Sequence, residues 1–270
     1  MADPGPAQTA PDRAALPRRL LAEFVGSAFL AAIVIGSGIA AQTLSPGQPG
    51  LELLENAAVT AVGLFAVILM VGPVSGGHLN PIVSIVDAGF AGIGWRDAAA
   101  YAAAQVTGCM AGAVVANTMF GLGALSISQH NRTSGGHWLG EAVATLGLVL
   151  VIFAGARTRR THLTPAAVGA YIGAAYFFTS STSFANPAIA IGRMFTNSFA
   201  GIAPGSVPGF IGAQLVGAIV AIALIRVLYP GAAAAAIDLV AAGDARWAPP
   251  GPQRDTRNAK TPAMARRSGP

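Results

Sequence analysis

The chain has 270 residues, 53% of them hydrophobic and 10% charged, with a formal charge of +5 and a mean hydropathy of +0.59. Soluble domains carry about 25% charged residues, so the deficit excludes a soluble protein of this length with ordinary solvated faces and indicates a membrane protein. The one cysteine, Cys109, excludes an intramolecular disulfide. It lies in an apolar run and reads as a packed thiol, with a reactive or metal-sensitive thiol as the alternative.

Residues 1–17 are Pro-rich and polar and read as a disordered tail. They do not read as a cleavable signal peptide, because the first apolar run is already long enough to cross a bilayer. Six stretches near 20 residues follow as expected spans, at 20–41, 56–74, 97–120, 138–156, 165–182 and 207–229. Two shorter apolar pieces, 81–90 and 187–199, are too short to cross alone and read as re-entrant half-helices. Broken backbone at membrane depth is tolerated only where it is buried in protein or lines a water-filled cavity. Residues 240–270, rich in Pro, Ala and Arg, read as a second disordered tail. The membrane domain is expected to fill 18–229.

The chain repeats itself. Ala22-Glu23-Phe24-Val25 opens the first span and Gly140-Glu141-Ala142-Val143 the fourth. Ala104-Gln105-Val106-Thr107-Gly108 in the third matches Ala213-Gln214-Leu215-Val216-Gly217 in the sixth. The repeats are 18–120 and 138–229, each with a Glu-bearing span, a second span, a half-helix and a Gln-bearing span. Three spans per half is an odd number, so the second half enters the membrane from the opposite side, and such inverted repeats place the functional site at the midplane. All Lys and Arg residues except Arg132 and Arg193 fall in or beside the tails, in loops or at the end of the last span, all on one side. That asymmetry predicts cytoplasmic termini. It also accounts for the positive charge without nucleic acid, which is not an expected partner. The basic tail reads as solvated, with binding to anionic membrane lipid as the alternative.

The half-helices begin at two related motifs, Ser75-Gly76-Gly77-His78-Leu79-Asn80-Pro81-Ile82 and Ser183-Phe184-Ala185-Asn186-Pro187-Ala188. Proline suits the first position of a helix, where an N–H is not needed, and the preceding Asn is a natural N-cap. Pro81 and Ile82, and Pro187 and Ala188, therefore form two helix starts with Asn80 and Asn186 at their positive ends. Two such ends meeting inside an apolar wall make an electropositive polar spot, which is the design of a pore that repels cations.

These motifs, the inverted repeat and the Glu and Gln placements resemble the aquaporin and aquaglyceroporin family, over roughly residues 18–229. The resemblance implies an all-α membrane protein with six transmembrane helices and two re-entrant half-helices. It also implies a homotetramer with one pore per subunit. It implies passive conduction of small uncharged solutes, with no catalytic residues, cofactor or metal. Asn80 and Asn186 would donate hydrogen bonds to the passing solute, and Glu23 and Glu141 would brace the loops leading into the half-helices. His78, near the cytoplasmic mouth, is either a satisfied structural group or a lining residue. Ile82 stands where the family usually has Ala, with a consequence expected for packing beside the polar centre.

The family's outer constriction, carried over by offset from the Asn residues, falls on Thr60, Ala174, Ser183 and Ile189. All four are small or aliphatic, which predicts a wide opening, and the family's Arg is missing after Asn-Pro-Ala. Arg193, one helical turn further on, is either a displaced filter cation or a structural Arg holding the extracellular loop. A wide, partly apolar filter suits glycerol-like polyols and neutral metalloid hydroxides such as arsenous acid, and water passage is expected alongside. The segment 183–204 is similar to a bacterial subgroup associated with arsenic resistance, which places the expected site in a bacterial inner membrane. Three alternatives stand beside this reading. They are a strict water channel, a proton-coupled secondary transporter using Glu23 or Glu141, and a non-conducting protein whose lumen Ile82 and Ile189 close.

Overall fold

Residues 14–157 and 160–229 are described in a computed structural model. The expected tail at 240–270 and most of the one at 1–17 lie outside them. Leu16 and Pro17 are a correction to the latter. They already belong to the first helix, because Pro17 sits in its first turn, where its fixed φ is favourable.

Every regular element among the described residues is helical. In chain order they are α1 (Leu16–Leu44), α2 (Pro49–Ser75), α3 (Pro81–Gly89), α4 (Trp95–Met119), α5 (Gly135–Arg157), α6 (Thr164–Phe178), α7 (Pro187–Gly192) and α8 (Val207–Leu228). Five of them, α1, α2, α4, α5 and α8, are long and apolar enough to cross a membrane. The fifth expected span is shorter than the sequence suggests. With 15 residues α6 reaches about 22 Å at 1.5 Å per residue, against a hydrocarbon core of about 30 Å. A 3₁₀ turn at Thr161–Leu163 precedes it and an irregular stretch at 179–186 follows it; together these supply the missing length. The second half-helix is also shorter than expected. It ends at Gly192 and tightens into a 3₁₀ turn at Arg193–Phe195, so 196–199 is not helical.

The two repeats build matching three-helix groups. In the first, α1 packs on α2 and α4; in the second, α5 packs on α6 and α8. The groups meet along α2 and α6 on one side, while α3 and α7 fill the other side between α4 and α8. Polarity runs outward-in. Val62 is 69% exposed and Ile219 66%, while Glu23, Gln105, Glu141 and Gln214 are fully buried. A surface of that kind is stable only where the surrounding medium is itself apolar.

Glycines allow the close packing inside each group. A Cβ on Gly108 would lie 2.3 Å from the Phe24 carbonyl oxygen of α1, and one on Gly217 2.3 Å from the Ala142 carbonyl of α5. These are equivalent positions of the two repeats, and backbone on both sides leaves no slack. Gly108→Val is therefore expected to cost about 1–3 kcal/mol or more through overpacking. The check is the thermal midpoint in detergent, where an unchanged value would contradict this packing.

Candidate functional site

The two Asn-Pro motifs enter their helices through left-handed backbone. Leu79 (φ 53°) precedes Asn80, and Ala185 (φ 48°) precedes Asn186, with Ser183 and Thr182 also positive. Left-handed conformations cost a non-glycine residue about 1–2 kcal/mol each, so something must hold these loops. Glu23 accepts from Leu79 N (2.7 Å), His78 N (3.0 Å), Ser75 Oγ (2.6 Å) and Gln105 Nε2 (2.7 Å). Glu141 accepts from Phe184 N (2.8 Å), Ala185 N (2.8 Å) and Gln214 Nε2 (2.6 Å). A buried carboxylate is tolerable only when its lone pairs are met in this way. Neither Glu lines the central cavity.

The Asn side chains close the site crosswise. Asn80 Oδ1 accepts from Ile82 N at 2.9 Å, and Asn186 Oδ1 from Ala188 N at 2.9 Å. Asn80 Nδ2 donates to the Ala185 carbonyl at 2.7 Å, and Asn186 Nδ2 to the Leu79 carbonyl at 2.8 Å. Each amide nitrogen carries two hydrogens, so each keeps one N–H beyond this clasp, and both side chains line the cavity. Pro81, Ile82, Pro187 and Ala188 are buried behind it. Ile82 contributes its N–H to the cap, but its side chain packs in the core and not on the lumen. It therefore does not alter the polar centre directly.

The cavity, about 60 Å³, runs from Gly77 and His78 past both Asn residues to Thr60, Tyr176 and Arg193. At about 10–15 Å³ of such space per water, it holds a short file of molecules. One wall is apolar, with Leu64, Ile68, Ile152, Val168 and Ile172 among its residues. Polar groups share the lining with them, Asn80, Asn186, Thr60 and Ser183 among them. Ser183 Oγ is buried with no protein partner and lines the cavity. At the inner end His78 is both structural and lining. Its Nδ1 lies 3.1 Å from Ser84 Oγ and its Nε2 3.6 Å from the Asp87 carboxylate, with its ring edge-on to Tyr101 at 5.3 Å.

The outer end corrects the expected constriction. Thr60, Ser183 and Ile189 line it, but Ala174 is exposed on the outside of α6. Tyr176 takes the lining position instead. Two residues along a helix rotate by about 200°, so an offset that lands on Ala174 lands on the wrong face. The Tyr176 hydroxyl lies 3.2 Å from Thr60 Oγ1. Phe184 and Arg193 line it as well, so two aromatics and a guanidinium join Thr60, Ser183 and Ile189 in the wall. Arg193 both lines the cavity and ties down the turn that follows α7. It is 2% exposed, lines the cavity, stacks its guanidinium carbon 3.5 Å from the Phe184 ring centre, and donates from Nε to the Ala200 carbonyl of the outer loop.

Cys109 is fully buried against α1, with Sγ 3.6 Å from the Ser27 carbonyl, and does not line the cavity. Mercurial reagents are expected to leave water and solute rates unchanged in reconstituted vesicles; inhibition reversed by thiol would contradict this placement.

A ring of membrane-crossing helices whose two half-helices meet at paired Asn caps, around a narrow amphipathic cavity, defines a channel architecture. The sequence comparison agrees. Residues 12–185 match the major intrinsic protein family, and the chain belongs to that family. It is 48% identical to the aquaglyceroporin AqpS of Rhizobium meliloti (strain 1021), over 78% of this chain and 90% of that one. It is 34% identical to aquaporin NIP1-4 of Oryza sativa subsp. japonica, over 66% of each. The fold is also that of the aquaglyceroporin from Plasmodium falciparum, solved by X-ray, with a TM-score of 0.63 at 21% identity over 80% of this chain and 98% of that one.

Proposed function

We propose that the protein is a passive membrane channel for water and small uncharged solutes, glycerol-like polyols first and neutral metalloid hydroxides such as arsenous acid beside them. It is not an enzyme. One observation carries the reading: Asn80, Asn186, Ser183 and Arg193 share the lining of one cavity with a larger set of apolar side chains. A polyol has the same division, hydroxyls on one edge and C–H groups on the other. Hydroxyls can take donors from Asn80, Asn186 and Arg193 and exchange both ways with Ser183, while the carbon edge rests on Ile172 and Ile152. A trihydroxide such as arsenous acid presents comparable oxygen spacing. Asn80 and Asn186 form the polar centre, and Thr60, Tyr176, Ser183, Ile189 and Arg193 the outer constriction.

Cations are opposed twice. The paired helix starts carry partial positive charge, and the guanidinium at the mouth adds a full one. Glu23 and Glu141 act as braces, their oxygens committed to loop N–H groups, which speaks against a proton-carrier role. A bacterial inner membrane, cytoplasmic termini and a homotetramer complete the proposal. The narrowing by Tyr176, Phe184 and Arg193 favours a second reading, a strict water channel.

Stopped-flow light scattering of proteoliposomes in a glycerol gradient separates the two. Fast shrinkage followed by accelerated re-swelling is expected. Fast shrinkage alone gives the water channel, and no acceleration over empty vesicles overturns conduction altogether.

A further inference from the structure

We propose that Arg132, carried by the segment between α4 and α5, is a positioning residue and a second cation of the outer barrier. It stands behind Phe184 and acts with Arg193 against the entry of cations. This rests on the reading of the central cavity as the conducting path.

The segment does not hang free over the mouth. Ser126 N and Ser128 N donate to the Phe195 and Met194 carbonyls (3.1 and 2.8 Å), Ala203 N donates to the His130 carbonyl (2.8 Å), and Arg132 N donates to Ser206 Oγ (3.0 Å). These bonds lay it alongside the turns that follow α7. One of those turns then receives both guanidinium groups on three consecutive carbonyls. Phe199 O accepts from Arg132 Nη2 (3.2 Å), Ala200 O from Arg193 Nε, and Gly201 O from Arg132 Nε (3.0 Å). Both also share one aromatic ring. The guanidinium carbon of Arg193 lies 3.5 Å, and that of Arg132 5.4 Å, from the Phe184 ring centre. The two charges are therefore within about 9 Å, comparable to the Debye length at physiological salt and less screened here because both are largely enclosed.

Neither guanidinium makes an ion pair among the described residues. The carboxylate that acts electrostatically on both is Glu141, whose oxygens are held by N–H donors of the loop and Gln214. Two like charges are thus held together on carbonyls and a ring face, with no ion-pair partner among the described residues, and their summed field opposes an approaching cation. Arg132 does not line the cavity. It works through its field, and through the turn that fixes the neighbouring Arg193.

The test is the ratio of cation leak to glycerol flux in proteoliposomes, with proton entry read by an entrapped pH dye and sodium entry by a membrane-potential pulse. The variants are Arg132→Met, Arg132→Gln and Arg132→Lys. The neutral variants are expected to raise the ratio about tenfold, the scale of a unit charge acting across this distance in a partly enclosed site. Arg132→Lys, which keeps the charge and loses the fork, is expected to stay within a few-fold of wild type. Neutral variants that match wild type overturn the proposal. Lysine and methionine variants that leak equally overturn it too, because they reduce Arg132 to a loop fastener. If only one neutral variant is recovered, that one decides by the same ratio. A wild-type protein that passes no glycerol, with intact vesicles, instead brings down the conducting reading and this proposal with it.

Discussion

Glu23→Ala is expected to destabilise the protein by roughly 3–5 kcal/mol, the scale seen when one partner of a buried charged network is removed. The carboxylate is fully buried and receives four donors, two of them backbone N–H groups of the loop before α3. Alanine leaves those donors facing a void, and each unmet one costs about 1–3 kcal/mol. Leu79 also loses the contact that holds it at positive φ. The estimate stops short of the full sum because penalties within one hydrogen-bond network do not add. Glu23→Gln repairs little, since its amide turns a donor toward groups that are themselves donors. Glu141→Ala, the equivalent change in the other repeat, is expected to behave alike. Thermal midpoints in detergent, read beside glycerol flux, check both. A Glu23→Ala protein that melts within a degree or two of wild type would show that the loop holds itself.

The second large effect concerns size. Tyr176→Ala is expected to admit longer polyols, five- and six-carbon chains, at least about tenfold faster, because a steric mismatch of even one methylene is commonly worth a factor of ten or more. The Tyr176 ring is 2% exposed and lines the same end of the cavity as Ile189 and Arg193. Tyr176→Phe keeps the wall but loses the hydroxyl beside Thr60, so it is expected to preserve the size limit. Re-swelling rates across a series from glycerol to sorbitol separate the two variants. An identical cutoff for Tyr176→Ala would move the narrowest point elsewhere, to Phe184 or to the Asn pair.

The geometry around the two Asn residues was readable because local rules set it. Proline fixes a helix start, Asn caps it, and duplication of Glu23 and Gln105 as Glu141 and Gln214 announces a repeat whatever the loops do. The outer end was not readable, for a physical reason. Its residues come from α2, α6, α7 and two loops, and their convergence depends on helix rotation and loop course. Counting back from Asn186 crosses the irregular stretch at 179–186, and an error of two residues turns Tyr176 into Ala174. Phe184 sat inside the motif but passed as a spacer. Nothing local marks Arg132, since its place depends on which turn its segment lies against. The shortness of α6 does have a local sign: the expected span 165–182 takes in Thr179, Ser180, Ser181 and Thr182, four hydroxyl side chains where the backbone has already left the helix.

The crosswise clasp has a bearing on how the chain is made. Asn80 donates to the carbonyl of Ala185 and Asn186 to that of Leu79, residues more than a hundred positions apart. During synthesis the amino-terminal half emerges with its central donor and acceptor both unanswered, and only the carboxy-terminal half can answer them. Docking of the half-helices is then a late, joint step. The two halves expressed as separate chains are expected to be recovered folded only together. The same bonds that finish the pore thus serve as a completion check, closing only when a whole molecule is present.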